Sequence, residues 1–300
     1  MSDATPPAAS EERTRAFLWI AVAYLAALAV GLVAGIAFGG RHPIETALAA
    51  DVAATATIFA FSFAFRNSSF YDAYWSVAPP AIALWFALAP GGAGVVAREI
   101  LVIALVLLWA VRLTANWARG WTGLDHEDWR YVDLQRKSGR LYWLVSFTGI
   151  HFFPTAIVFL GLLPLWPALA TGTRPLGWLD AAAALVTLSG VALELLADDA
   201  LRRFRLSDPP PGAILESGLW AWSRHPNYLG EMLFWIGLAL FSLAAAGFVW
   251  WAWVGAAAMI AMFVGVSIPM KERRMLERRP GYAERRERVS LLVPLPPRRR

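Results

Sequence analysis

The chain has 300 residues, 58% of them hydrophobic and 16% charged, with a formal net charge of +5 and a mean hydropathy of +0.50. A soluble globular protein carries about a quarter charged residues, so this much apolar surface exceeds what the chain's own core can bury and calls for lipid as the solvent. Cysteine is absent, which excludes a disulfide framework, a thiolate nucleophile and a cysteine-based metal site.

Residues 1–16 read as a polar N-terminal tail. The apolar run from Phe17 to Phe38 is longer than the core of a signal peptide and fits a retained spanning helix. Gly31 and Gly35 within it have the GxxxG spacing of close helix packing. Further apolar runs follow at 44–65, 77–90, 96–115, 141–163 and 178–197. The stretch 228–268 has room for two more, breaking near Ala244–Gly247. The run at 77–90 is short and carries Pro79 and Pro80. The expected fold is all-α: a polytopic transmembrane helical bundle of six to eight spans, eight by direct count, over residues 17–269, followed by a basic tail over 270–300.

Cytoplasmic loops collect Lys and Arg. With eight spans and both termini inside, Arg41, Arg98 and Arg174 fall outside while almost every other basic residue falls inside, so the expected topology is N-in, C-in. All basic residues but Lys137 and Lys271 are Arg, which with the abundant Ala points to a bacterial source and so to its inner membrane. Several Trp lie near the proposed span ends (Trp109, Trp121, Trp178 and Trp250 among them) and read as an interfacial belt rather than as base-stacking platforms. The basic segment Lys271–Arg288 suits the anionic inner leaflet, and nothing in it demands nucleic acid.

Three polar stripes enter the bundle. Arg112, Asn116 and Arg119 share one helical face, as do Glu194, Asp198, Arg202 and Arg205. Ionisable residues inside a span are costly and face a bundle interior or a wet cavity; Asp198 and Arg202, at i and i+4, could also serve only to neutralise each other. The third stripe is the run Ser223–Glu231, SRHPNYLGE. Pro226 suits a first helical turn. Asn227 and Glu231 at i, i+4, with Tyr228 three before Glu231, face together. Gly230 allows close approach of backbone or ligand, and Arg224 and His225 precede a helix N-terminus that favours an anion. Together the stripes describe an Arg-rich cytoplasmic cleft that suits a phosphate-bearing ligand. The patterns GxGxxG after a strand and GxxxxGK[ST] are absent, and His42, His126, His151 and His225 are scattered without metal-ligand spacing.

The run ending at Glu231 resembles the C-terminal signature of the steroid 5-alpha-reductase family. The segments Asn67–Ser76, Trp109–Tyr131 and Leu196–Phe204 are similar to its bacterial DUF1295 branch, so the likeness covers roughly residues 50 to 294. The resemblance implies a membrane oxidoreductase of lipid metabolism that uses NADPH to reduce the C=C double bond of an enone in a sterol or other lipid drawn from the bilayer. It implies cofactor contacts at Asp198, Arg202, Arg205, Asn227 and Glu231. Asn116 and Arg119 match an Asn-x-x-Arg element on its phosphate side, and Arg224, His225 and Tyr228 lie in the same motif. Glu194 stands where the steroid enzymes have a cofactor-binding Asn. The motif also occurs in isoprenylcysteine carboxyl methyltransferase-like enzymes, which use S-adenosylmethionine; here Glu272 supplies one carboxylate where those resemble a Glu-Glu pair.

Reduction of an enone needs a group to stabilise the enolate oxygen and deliver a proton. Tyr71, Asp51 and Glu45 have the chemistry and position for it. Tyr71 and Asp72 could equally be interfacial anchors, whereas a carboxyl inside a span, such as Asp51, is costly as an anion and suited to giving up a proton from its neutral form. A methyltransferase is the alternative reading. A transporter is the third, and the crowding of polar stripes on one side argues against it.

Overall fold

The computed structural model describes residues 7–298, and every regular element among them is helical. Residues 1–6 of the expected polar tail and the last two of the basic tail lie outside the described residues. Helix α1 spans Pro7–Ala37, α2 Pro43–Phe65, α3 Tyr74–Ala87, α4 Val96–Gly120, α5 Trp129–Thr171, α6 Trp178–Leu206, α7 Pro226–Ala246, α8 Trp250–Arg278 and α9 Tyr282–Arg288. Residues 7–16, expected in the tail, are already helical.

Among the described residues, six helices are long and apolar enough to cross a membrane: α1 from Glu11, α2, α5, α6, α7 and α8. Two of the eight expected runs fall outside this set. At 14 residues α3 is about 21 Å long, short of an apolar layer of about 30 Å. Helix α4 has the length, 25 residues, and carries Arg98, Glu99, Arg112 and Arg119. The break expected near Ala244–Gly247 is found at Gly247, whose φ of +85° ends α7.

The chain divides into two compact units. The first comprises the residues up to Pro90 together with Leu113–Phe159. In it α1 lies against α2, and a Cβ added at Gly31 would come within 3.2 Å of the Ala50 carbonyl, which is the close packing expected of the GxxxG spacing. Between α2 and α3, Asn67 caps the turn Ser68–Tyr71 by accepting from the Ser69 N–H at 2.8 Å. The next residue after this turn, Asp72, is half-buried and outside the spans. Burial lifts its carboxyl to about 7, against the hydrogen bond from the Tyr131 hydroxyl at 2.7 Å and the attraction of Arg130. An unfolded Asp titrates near 4, so the folded state holds the proton more tightly. The stability this contributes is complete below about pH 4 and is lost as pH rises through about 7. Asp72→Asn is therefore expected to reduce the fall in melting temperature between about pH 5 and 8; an unchanged slope in detergent melts would contradict this.

The second unit comprises Gly91–Arg112 and Leu160–Arg300. Its central pair is α6 and α7, which approach so closely that a Cβ on Gly230 would lie 2.6 Å from both the Gly190 carbonyl and Glu194 Cγ. Gly230 thus serves backbone approach between helices. Arg98, counted above on the outside, is fully buried. Its Nε and Nη2 meet the Asp180 carboxylate at 2.6 and 3.0 Å, and Asp180 also accepts from the Gly177 N–H at the start of α6. At the other end of this segment of α4, Arg112 pairs with Glu194. The two ties run in the same order along both helices, so residues 96–112 lie parallel to α6.

Candidate functional site

Helical spacing sets Glu194 and Asp198 one turn apart on α6, and Asn227 and Glu231 one turn apart on α7. The glycine contact between the helices lets the two stripes meet, and Arg112 of α4 joins them. Its Nη2 pairs with Glu194 Oε2 and lies 3.8 Å from Glu231 Oε2, while Nη1 donates to Asp198 Oδ2 at 3.2 Å. Asn227 Nδ2 donates to Asp198 Oδ1 at 3.1 Å. Glu231 also accepts from two indoles, Trp109 Nε1 at 3.1 Å and Trp235 Nε1 at 2.9 Å. Trp109, counted above with the interfacial belt, is fully buried and stacks on Phe234 at 4.6 Å. The network is deep: Glu194 is 2%, Glu231 4% and Arg112 7% exposed. Two of its atoms have no hydrogen-bond partner, Glu194 Oε1 and Arg112 Nε.

This arrangement corrects the expectation of an Arg-rich cleft. The deep part sets three carboxylates around one guanidinium. Further guanidinium groups stand towards the C-terminal end of α6, where Arg202 is half-buried and Arg205 is exposed, within electrostatic reach of Asp198 and Arg279. Asn116 and Arg119 continue α4 beyond Arg112, half-buried and exposed respectively, but belong to the first unit.

Arg224 and His225, expected to face an anionic ligand, hold the chain's own Glu272 instead. Arg224 Nη1 reaches both carboxylate oxygens, at 2.6 and 2.5 Å, and His225 Nε2 lies 3.1 Å from Oε1. Tyr282 donates to the same carboxylate at 2.8 Å, and Arg286 Nε pairs with it at 3.2 Å. Tyr228 stacks on the His225 ring at 5.4 Å and lies against Phe263. Backbone bonds continue the clasp, Arg224 N–H to the Ser290 carbonyl at 2.9 Å and Leu295 N–H to that of Trp222 at 3.2 Å. Arg285 adds bonds to Glu216 and to the Trp220 carbonyl. The basic segment expected to lie on the lipid surface is thus folded onto the loop that leads into α7. Pro226 occupies the first turn of that helix, as expected.

In the first unit, Asp51 and Tyr71 come together. Tyr74 donates to Asp51 Oδ1 at 3.3 Å, and the Tyr71 and Tyr74 rings lie 5.7 Å apart. The Tyr71 hydroxyl meets Thr155 Oγ1 at 2.7 Å, which meets Thr55 Oγ1 at 3.0 Å. His151 packs against the Tyr71 ring at 5.1 Å and binds Ser62 Oγ at 2.9 Å. Tyr71 is 3% exposed, which removes the interfacial-anchor reading for it. Glu45 is not part of this cluster; it is exposed and pairs with Arg41 at 3.9 Å.

The model of a family described as proteins of unknown function, DUF1295, matches residues 58–289. The chain belongs to the DUF1295 family. The family match takes in Tyr71, the whole Arg112 network and Glu272, and leaves out Asp51. A curated relative of this DUF1295 chain, an uncharacterized protein of Schizosaccharomyces pombe (strain 972), is 28% identical over 255 residues, covering 76% of this chain and 73% of its own. That relative is fungal, so the likeness reaches past a bacterial branch. No solved structure matches the chain.

Proposed function

We propose that this DUF1295 protein is a membrane-embedded NADPH-dependent reductase of a C=C double bond in an enone-type lipid, with its termini and cofactor mouth on the cytoplasmic side. One observation carries the reading: Asp198, Asn227 and Glu231, the positions that the resemblance assigns to a cofactor pocket, join in one network through Arg112. The residues fit such a cofactor in two zones. Deep carboxylates suit hydrogen-bond donors, namely a carboxamide and ribose hydroxyls. The guanidinium groups of Arg202 and Arg205 suit phosphates. Arg224 and His225, committed to Glu272, set the start of α7 and hence the position of Asn227.

When bound, NADPH supplies a hydride to the β-carbon of the enone. The chain's part is to hold the lipid's oxygen and return a proton to the carbon skeleton. Asp51 and Tyr71, buried together among hydroxyls, are the groups we assign to that task.

A methyltransferase using S-adenosylmethionine is the second reading, and the excess of carboxylates over guanidinium in the deep network favours it, because a sulfonium is a cation. Calorimetry of the detergent-purified protein with NADPH, NADH and S-adenosylmethionine separates the two. NADPH is expected to bind, and Asn227→Ala and Arg205→Ala are each expected to weaken it about tenfold, the loss of one charge-assisted hydrogen bond. Binding of S-adenosylmethionine alone would move the assignment to a methyltransferase. Unchanged NADPH affinity in both variants would remove these residues from the pocket.

A further inference from the structure

A cleft in the first unit opens where two apolar segments end. Phe63, Ala64 and Arg66 line it from the C-terminal end of α2, and Gln135 and Trp143 line it from α5. Its volume of about 440 Å³ is within the range of small-ligand sites. The apolar run of α2 stops at Phe65, and that of α5 begins at Leu141, after Arg136, Lys137 and Arg140. The cleft therefore lies at the level where hydrocarbon gives way to headgroups. Phe63 in its lining is 54% exposed, and Leu144, next to Trp143 in the chain, is 62% exposed.

Among the described residues, the lining holds one cation and no acid. The Phe63 and Trp143 rings meet edge to face at 5.1 Å and form an apolar wall. Arg66 caps α2 in the left-handed region, with φ 52° and ψ 38°. Glycine is the residue of least cost there. The position carries a long cationic side chain instead, and that side chain lines the cleft.

We propose that this cleft binds the headgroup of an anionic phospholipid from the surrounding bilayer. The Arg66 guanidinium matches a phosphodiester with parallel N–H donors. The Gln135 carboxamide donates to the phosphate or to a headgroup hydroxyl, and the aromatic wall takes the glycerol and the first methylenes. Arg136 and Arg140, both exposed, favour a lipid of net negative charge. A free anion has no use for Phe63 and Trp143, so the lining favours the bilayer as its source. The site is independent of the reductase reading.

The test is native mass spectrometry of the full-length protein in detergent with phosphatidylglycerol, phosphatidylcholine of the same acyl chains, or inorganic phosphate added. Phosphatidylglycerol is expected to bind about tenfold more tightly than phosphatidylcholine, whose choline cation the arginines repel. Arg66→Gly suits the backbone and removes the guanidinium. It should melt no lower than the parent chain and bind phosphatidylglycerol about tenfold more weakly. Arg136→Ala, outside the lining, controls for general surface charge and should weaken binding less. Equal affinities for the two lipids would overturn the proposal. So would unchanged phosphatidylglycerol binding in Arg66→Gly, or an equal loss in Arg136→Ala. Displacement of the lipid by inorganic phosphate at equal concentration would show a free-anion site and overturn the bilayer assignment.

Discussion

Arg112→Ala is expected to destabilise the protein by about 3–5 kcal/mol, the cost of removing one partner from a buried ion cluster. Arg112 pairs with Glu194 and lies within ion-pair distance of Glu231, and it also holds Asp198. Without it, three carboxylates on adjoining turns of α6 and α7 repel one another in a site too buried for water to screen them. Arg112→Lys keeps the charge but reaches fewer oxygens, and should lose less. Pairing Arg112→Ala with Glu194→Gln should recover part of the loss, because one repelling carboxylate is then gone. Thermal melts in detergent read all of this; a loss below about 1 kcal/mol in Arg112→Ala would be that of a solvent-screened surface pair and would contradict the network.

A loss of similar size, about 3–5 kcal/mol, is expected for Glu272→Ala. That change strands Arg224, 9% exposed at its side chain, and removes the acceptor of His225, Tyr282 and Arg286 together. The segment from α9 to Leu295 is then held by the Arg285 contacts and a few backbone bonds. Trypsin should cut the variant among Arg278, Arg279, Arg285 and Arg286 much faster than the parent chain. An unaltered digestion pattern would show that the carboxylate clasp does not hold this segment. Glu272→Gln, which keeps an acceptor but no charge, should fall between the two.

Much of the second unit was legible in the sequence. Helical spacing alone put Glu194 with Asp198 and Asn227 with Glu231, and the cost of charge in a span said that they must face inward. Pro226 and the break at Gly247 followed from local backbone chemistry. Spacing could not say which side chains from distant segments would answer these stripes. Arg112 is more than 80 residues from both of its α6 partners, and Trp109, which donates to Glu231, looks in sequence like one of many interfacial indoles. Arg98 reads in sequence as a charge at the outer end of the 96–115 run, although its partner Asp180 lies at the start of another helix. The clasp was missed for a related reason. An Arg–His pair before a helix reads as an anion site, and the anion proved to be a carboxylate of the chain's own tail. In the first unit, Thr55, Ser62 and Thr155 pass as ordinary small residues in apolar helices, so only Asp51 and Tyr71 signalled a cluster that includes them all.

The most direct measurement is an electron-microscopy density map of the protein frozen with a saturating concentration of NADPH. The account predicts density for the nucleotide running from the Glu194–Glu231 end of the network, past Asp198 and Asn227, to Arg202 and Arg205. A map in which that network is unchanged and the nucleotide is absent, or bound elsewhere on the chain, would contradict it.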